Sequence, residues 1–231
     1  MRSQRDAQLE RAAVLADPVR RRVYDQVARA GRDVSRDEAA RGARIGRALA
    51  AFHLDKLVAA GFLDATYRHL RGRAGPGAGR PSKVYRRART ELAITLPERR
   101  YEQLAHLLAT AIEGSGSRAL ARAIADAARS LGERLGQDVR DAAGARADRD
   151  RTLSAAERVL ARNGFEPYRE AGAIRMRNCP YDALASEHRD LVCGLNLSLM
   201  EGLVGASGLT GVDASLEPGE GRCCVVLRRD R

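Results

Sequence analysis

A mostly α-helical chain with α+β parts is predicted, on three observations. Helix-start signals recur along the sequence: Asp17-Pro18, Ser35 with Glu38, and Pro97 each stand just ahead of an apolar stripe. Runs with strand character fall in only two places, around residues 62–87 and 165–228. Charge is also segregated. Residues 1–90 hold 21 Lys and Arg against 9 Asp and Glu, a balance of +12, whereas residues 91–231 hold 20 against 21, a balance of −1. The excess basic charge of the 231-residue chain therefore belongs to one part of it, which a uniform compositional bias toward Arg would not produce.

In order, residues 6–16 form a short amphipathic helix with Leu9, Ala13 and Leu15 near one face. Asp17 caps a second helix opened by Pro18, with Val19, Val23 and Val27 as its apolar stripe and Gly31 as its stop. Ser35 and Glu38 have the spacing of a capping box for a third. A fourth spans residues 44–60 and stops at Gly61. Residues 62–69 and 82–87 read as strands joined by RGRAGPGAGR, whose four Gly and one Pro make a flexible hairpin tip. Pro97 then opens a helical region with a wide apolar face of Leu104, Leu107, Leu108, Ala111 and Ile112. A further helix runs from GSGS to about residue 143 with Leu120, Ile124, Ala128, Leu131 and Leu135. Beyond it, helix 152–163, strands FEPYRE and AIRMRN, helices near 181–187 and 188–204, and strands DASLE and RCCVVLR make a compact α/β unit. Three parts follow: 1–90, a winged helix-turn-helix; 91–149, a helical linker and dimerisation layer, unless these helices simply complete one continuous core; and 150–231, an α/β cysteine-containing sensor domain.

The first part meets the physical demands of a DNA reader. The fourth helix has an inward stripe of Ala50, Leu54 and Leu57. Its outer face near the N-terminus carries Arg44, Gly46, Arg47, Ala48 and Ala51. Arg can hydrogen-bond guanine O6 and N7 together, and Ala can touch a thymine methyl. Ser35, Arg41, Lys56, Arg71, Arg73, Arg80 and Lys83 flank that face and suit phosphate contacts, which supply much of the affinity of such proteins. Phe52 could face DNA or the preceding helix, and His53 suits a packed or phosphate-contacting role.

The residues AAFHLDKLVAAGFL, with GRPSKVYRR after the hairpin tip, resemble winged-helix bacterial transcriptional regulators of the ArsR/DeoR type. The resemblance covers roughly residues 8–90. The winged module with the expected dimerisation layer points to a homodimer on a two-fold symmetric duplex, most simply a repressor, and the lack of a signal region or membrane span points to the cytoplasm. One departure is Gly46, where that family usually has a Ser or Thr cap. Glycine caps nearly as well, but a phosphate-binding hydroxyl is lost.

All four cysteines, Cys179, Cys193, Cys223 and Cys224, lie in the last 53 residues. NCPYD puts Cys179 at a strand end before a helix, where backbone donors favour a thiolate. With Cys223 and Cys224 on one strand, their side chains point to opposite faces. Cys223 then shares the inner face with Val225 and Leu227, and Cys224 the outer face with Arg222 and Arg228. The pattern NCPYDALASEHRDLVCGLNLSLMEGL … EPGEGRCCVVL resembles the C-terminal half of the Suf-type iron–sulfur repressors. That resemblance implies an iron–sulfur cluster held by Cys179, Cys193 and Cys223, with a fourth ligand from elsewhere and Cys224 dispensable. Thiol redox sensing, zinc, a haem contact at Cys179-Pro180, or small apolar core thiols beside a small-molecule effector remain alternatives.

Other classes are disfavoured. No apolar run approaches the ~20 residues of a membrane span, and MRSQRDAQLER has no apolar signal region. No Ser/His/Asp set, phosphate loop or paired carboxylates suggest an enzyme, although clustered Cys with His188 keeps that class open. An architectural DNA binder without a sensor is the third class.

Overall fold

The computed structural model describes residues 4–69, 81–92, 94, 99–219 and 221–229. The chain divides into two compact units, Met1–Arg99 and Arg100–Arg231. The expected boundary between residues 91–149 and 150–231 does not separate two units. The structure instead packs the helices of 100–149 into the same unit as the C-terminal sheet, because their small and apolar residues are part of its core.

In the first unit the helices are α1 (Gln4–Val14), α2 (Pro18–Ala30), α3 (Arg36–Ala43) and α4 (Arg47–Ala59), and the strands are β1 (Val34–Ser35), β2 (Leu63–Arg68) and β3 (Ser82–Arg87). Asp17 caps α2 by accepting from Val19 N and Arg20 N. Ser35 and Glu38 close a complete capping box on α3. The strands form an antiparallel sheet in the order β1-β3-β2, so Val34 and Ser35 cover one edge of the hairpin. Val23, Val27, Ala39, Leu54, Leu57, Phe62, Leu63 and Tyr85 are the buried core joining helices to sheet. The hairpin tip with Arg71, Arg73 and Arg80, and Pro97, lie outside the described residues.

The second unit contains α5 (Tyr101–Ser115), α6 (Arg118–Ala143), α7 (Arg149–Arg162), β4 (Pro167–Glu170), β5 (Ala173–Met176), α8 (Asp182–Ala185), α9 (Arg189–Ser207), β6 (Val212–Leu216) and β7 (Val225–Arg229). The strands make an antiparallel sheet in the order β4-β5-β7-β6. Leu135 and Val139 of α6, Val159 and Leu160 of α7 and Met200 and Leu203 of α9 pack with Ile174, Met176, Val225 and Leu227 of the sheet. Helices α6 and α9 meet backbone to backbone. A Cβ on Gly132 would fall on the Leu199 carbonyl, one on Gly136 on the Leu203 carbonyl, and one on Gly202 on the Arg129 carbonyl. Only glycine allows that approach.

The apolar face expected on α5 is inverted in part. Ala109 is the buried residue, while Leu104, Leu107 and Leu108 are more than half exposed. Strand β7 also starts later than expected. Gly221 at φ 70° turns the chain, and Cys223 and Cys224 precede the strand instead of alternating along it.

Candidate nucleic-acid interface and thiol cluster

The helix-turn-helix is α3, the turn 44–46, and α4. Arg44 ends α3 in the left-handed conformation, φ 55° and ψ 49°, with its N–H on the carbonyls of Ala40 and Arg41. Ile45 N then donates back to Ala40 O at 3.0 Å. This turn shortens α4 relative to the expected 44–60, because a left-handed residue cannot lie within a right-handed helix. Gly46 is the N-cap of α4 with no side-chain hydrogen bond, and Ala50 N donates to its carbonyl.

On α4 the expected inward stripe of Ala50, Leu54 and Leu57 is buried, together with His53. Arg47, Ala48, Leu49, Phe52 and Lys56 are exposed, and Ala51 is half-buried. Phe52 thus faces outward, edge-on to His53 and beneath the Lys56 ammonium. Arg41, Arg44 and Arg47 line one open depression with Asp37, Ile45 and Gly46. Three arginines thus gather at one helix-turn junction, side chains of a type that can take up a phosphate or a base edge.

Carboxylates hold several of these cations. Arg47 Nε lies 2.9 Å from Asp37 Oδ1, and Lys83 Nζ lies 2.8 Å from Asp55 Oδ1. Asp33 takes Arg68 at 2.7 Å and Arg86 at 3.4 Å from the hairpin. Such exposed pairs contribute roughly 0–1 kcal/mol each, so a phosphate can displace the acid. The Asp55 carboxylate, by accepting a hydrogen bond, raises the Lys83 pKa, so the lysine is firmly cationic. Lys83 therefore ties the hairpin to the exposed side of α4. Ser35 is a correction to the contact set. It is buried, and its hydroxyl is used within the capping box, so it holds α3 and does not present itself to a ligand. The same box and the Arg32 side chain hold the Glu38 carboxyl down to about 2.

In the second unit the four thiols gather in two hydrogen-bonded pairs. Cys179, after β5, pairs with Cys223, and Cys193, on α9, pairs with Cys224. Cys193 also interacts electrostatically with both Cys179 and Cys223, so the two pairs adjoin. Cys224 is therefore not on a separate face. The turn that delays β7 brings both neighbours to one side, and the alternation expected of a strand does not apply. Cys223 is buried, and the Cys179 S–H, with Asn196 Nδ2 at 3.2 Å, lowers its pKa to about 7. The Cys179 thiol is pushed up by the same hydrogen bond and by burial, and Cys193 is pushed up to about 11, first by burial. Arg189 reaches Cys224 Sγ at 3.8 Å. All four are free thiols. Asn196 and Arg189 were not singled out by sequence reading. The signal for Asn196 was there: a lone amide in the apolar run LVCGLNLSLM, three residues from Cys193 and so on its face.

Residues 15–65 match a family model described as a helix-turn-helix domain. No curated protein and no solved structure matches the chain. The match spans α2, the capping box, the turn and all of α4, which are the elements that build the cationic face. The chain thus carries an N-terminal helix-turn-helix domain, which supports a role as a DNA-binding transcriptional regulator. Among the described residues no helix is long and apolar enough to cross a membrane.

Proposed function

We propose that this chain is a homodimeric, cytoplasmic winged helix-turn-helix repressor that reads a two-fold symmetric operator with α4 and senses its signal through the thiols of the second unit. The observation that carries the DNA reading is the cluster of Arg41, Arg44 and Arg47 at the start of an exposed α4, within the matched segment. Arg47 and Ala48 meet base edges; Lys56, Lys83 and the wing arginines meet phosphates. The dimer reading is supported by the leucines of α5, too apolar a surface for a helix facing water: Leu107 is 63% exposed. An own-promoter fragment in a gel-shift titration should bind as a dimer, with affinity falling steeply as salt rises. Absence of binding at low salt to that fragment and to a genomic library would refute the reading.

For the signal, the donor set fits an iron–sulfur cluster. Four thiols converge, one is already held near its thiolate form, and Asn196 and Arg189 supply the hydrogen bonds to sulfur that such clusters take. A four-thiolate zinc site, with Zn–S near 2.3 Å, would bring sulfurs to about 3.8 Å of one another. The thiols stand wider apart than that, no three of them within 4.8 Å of one another. Cys179, Cys193 and Cys223 would hold the cluster, with Cys224 as the fourth thiol in reach. Such a group supplies one-electron chemistry and sensitivity to oxygen. Single Cys→Ser variants purified without oxygen and assayed for iron and sulfide test it. Full iron content in the Cys179, Cys193 and Cys223 variants, or none in the reconstituted native chain, would leave a thiol sensor in its place.

A further inference from the structure

A second group of metal-ligating side chains lies in the same unit, outside the thiols. His106 comes from α5, and Glu187 and His188 from the turn between α8 and α9. One ligand atom from each of the three lies within 4.8 Å of the others. His106 Nδ1 is 3.5 Å from Glu187 Oε2, and the two imidazole rings are 5.4 Å apart. The ring of His188 is 8% exposed. Its Nδ1 is fixed at 2.7 Å from Glu113 Oε2, one α5 turn-pair beyond His106. Its Nε2 is buried and has no hydrogen-bond partner. The backbone of His188 is pinned as well, its N–H donating to Leu184 O and its carbonyl accepting from Val192 N.

We propose that His106, Glu187 and His188 bind a divalent transition-metal ion of the zinc class, with Glu113 orienting His188. The chemistry is that of a carboxylate–histidine–metal relay. A carboxylate on Nδ1 selects the tautomer with a proton there and leaves Nε2 as a lone pair for the ion. That explains why a buried imidazole keeps one nitrogen without a partner, an arrangement that is costly in a purely structural histidine. Two imidazoles and one carboxylate are the donor set of three-ligand zinc sites that leave a position open for water or another ligand. Ligands bonded at about 2.0–2.2 Å stand nearer together than 4.8 Å. Glu187 supplies that closure, since its side chain is exposed and already lies against His106. The bound ion would clamp α5 against the start of α9, one turn from Cys193, so the site is independent of the thiols in its ligands yet acts on the same helix.

The test is a Co2+ titration of the reduced, metal-stripped full chain, with Zn2+ competition. The expected result is one ion per chain with weak visible d–d bands of nitrogen and oxygen ligation, without intense near-ultraviolet thiolate charge transfer. Glu113→Gln should weaken binding 10–100-fold, the usual effect of losing such an orienting carboxylate. His106→Gln and Glu187→Gln, at half-buried and exposed positions that preserve the fold by circular dichroism, should weaken it at least as much. Cys193→Ser should leave these bands in place. Unchanged affinity in His106→Gln and Glu187→Gln, cobalt spectra of thiolate type alone, or no binding in the native chain would each overturn the proposal.

Discussion

The Cys179–Cys223 pair allows a test that separates a built thiol cluster from packed core cysteines. The perturbation is Cys179→Ala. The largest influence holding Cys223 down to about 7, against an ordinary 9.0, is the hydrogen bond from Cys179; burial acts in the opposite direction. Removing the donor leaves burial opposed only by Asn196 and backbone N–H groups, so the Cys223 pKa should return to 9 or above. At pH 7 the thiolate fraction would fall from about one half to about 1%, roughly a 50-fold loss of the reactive form. Cys179→Ser keeps a hydroxyl donor at the same place and should keep most of the depression. Because Cys223 is only 2% exposed, the assay should not depend on reagent access. Isotope-labelled cysteine Cβ shifts, followed by NMR across pH on the reduced metal-free chain, report the midpoint directly. The linkage has a definite sign. A folded pKa near 7 below an unfolded value of 9.0 stabilises fully above pH 9, and that contribution is lost as pH falls through 7. Cys193, raised to about 11, contributes in the opposite sense, fully below pH 9 and lost as pH rises through 11. The native chain should therefore gain stability over Cys179→Ala between pH 7 and 9. An unchanged Cys223 midpoint in the Ala variant, or an equal rise in the Ser variant, would refute the pairing.

Other expected outcomes follow from single sites. Arg47→Ala should flatten operator preference by about 1–3 kcal/mol of base discrimination, whereas Lys56→Ala should weaken all sequences alike and lower the salt slope, both read by gel shift. Gly46→Ser, where a new Cβ meets nothing within 4 Å, should stabilise the first unit by a few tenths of a kcal/mol through an N-cap hydroxyl, read in denaturant melts. Gly136→Ala should destabilise the second unit by about 1–3 kcal/mol or more by overpacking. Gly205→Ala on open α9 surface should instead stabilise it by up to ~1 kcal/mol. Glu38→Gln should reduce the acid sensitivity of the first unit between about pH 4.5 and 2, since the native carboxylate is stabilising above 4.5 and that contribution is lost as it protonates, while Asp17, also held down by its cap hydrogen bonds, keeps its own share.

Local signals made the first unit legible. Asp17-Pro18, the Ser35/Glu38 box and the burial of Ala50, Leu54 and Leu57 all depend on neighbours a few residues away, and strand 82–87 has the expected ends. Helix α4 starts later than the expected residue 44 because Arg44 adopts a left-handed conformation that a glycine would have announced and an arginine does not. The cysteine cluster was legible as a gathering of residue types and not as a set of pairs. Cys179 and Cys223 are brought together by the chain running from β5 past α9 to the turn before β7, and no local period encodes that distance. Two glycines, Gly219 and Gly221, stood just before RCCVVLR as the hint that the strand starts late. The leucines of α5 illustrate the opposite failure. An apolar helical face predicts burial, but it does not say against what, and in the single chain Ala109 is packed while Leu107 and Leu108 are not.

Helix α9 is where the features of the second unit meet. Its first turn follows His188 and contains Arg189; Cys193 and Asn196 face the thiols; Gly202 lies against the α6 backbone. A helix packed through side chains alone can slide by repacking rotamers. One seated carbonyl-to-glycine at Gly132, Gly136 and Gly202 has no such slack, because any rotation drives backbone into backbone. A displacement of α9 set by its thiols must therefore carry α6 with it as a rigid element. On the proposed dimer reading, the exposed leucines at the start of α6 and along α5 would move in register with the sensing site. The tight α6–α9 seam is thus the part of this fold best suited to turn a change at four sulfur atoms into a change between subunits, and it rests on three residues with no side chain at all.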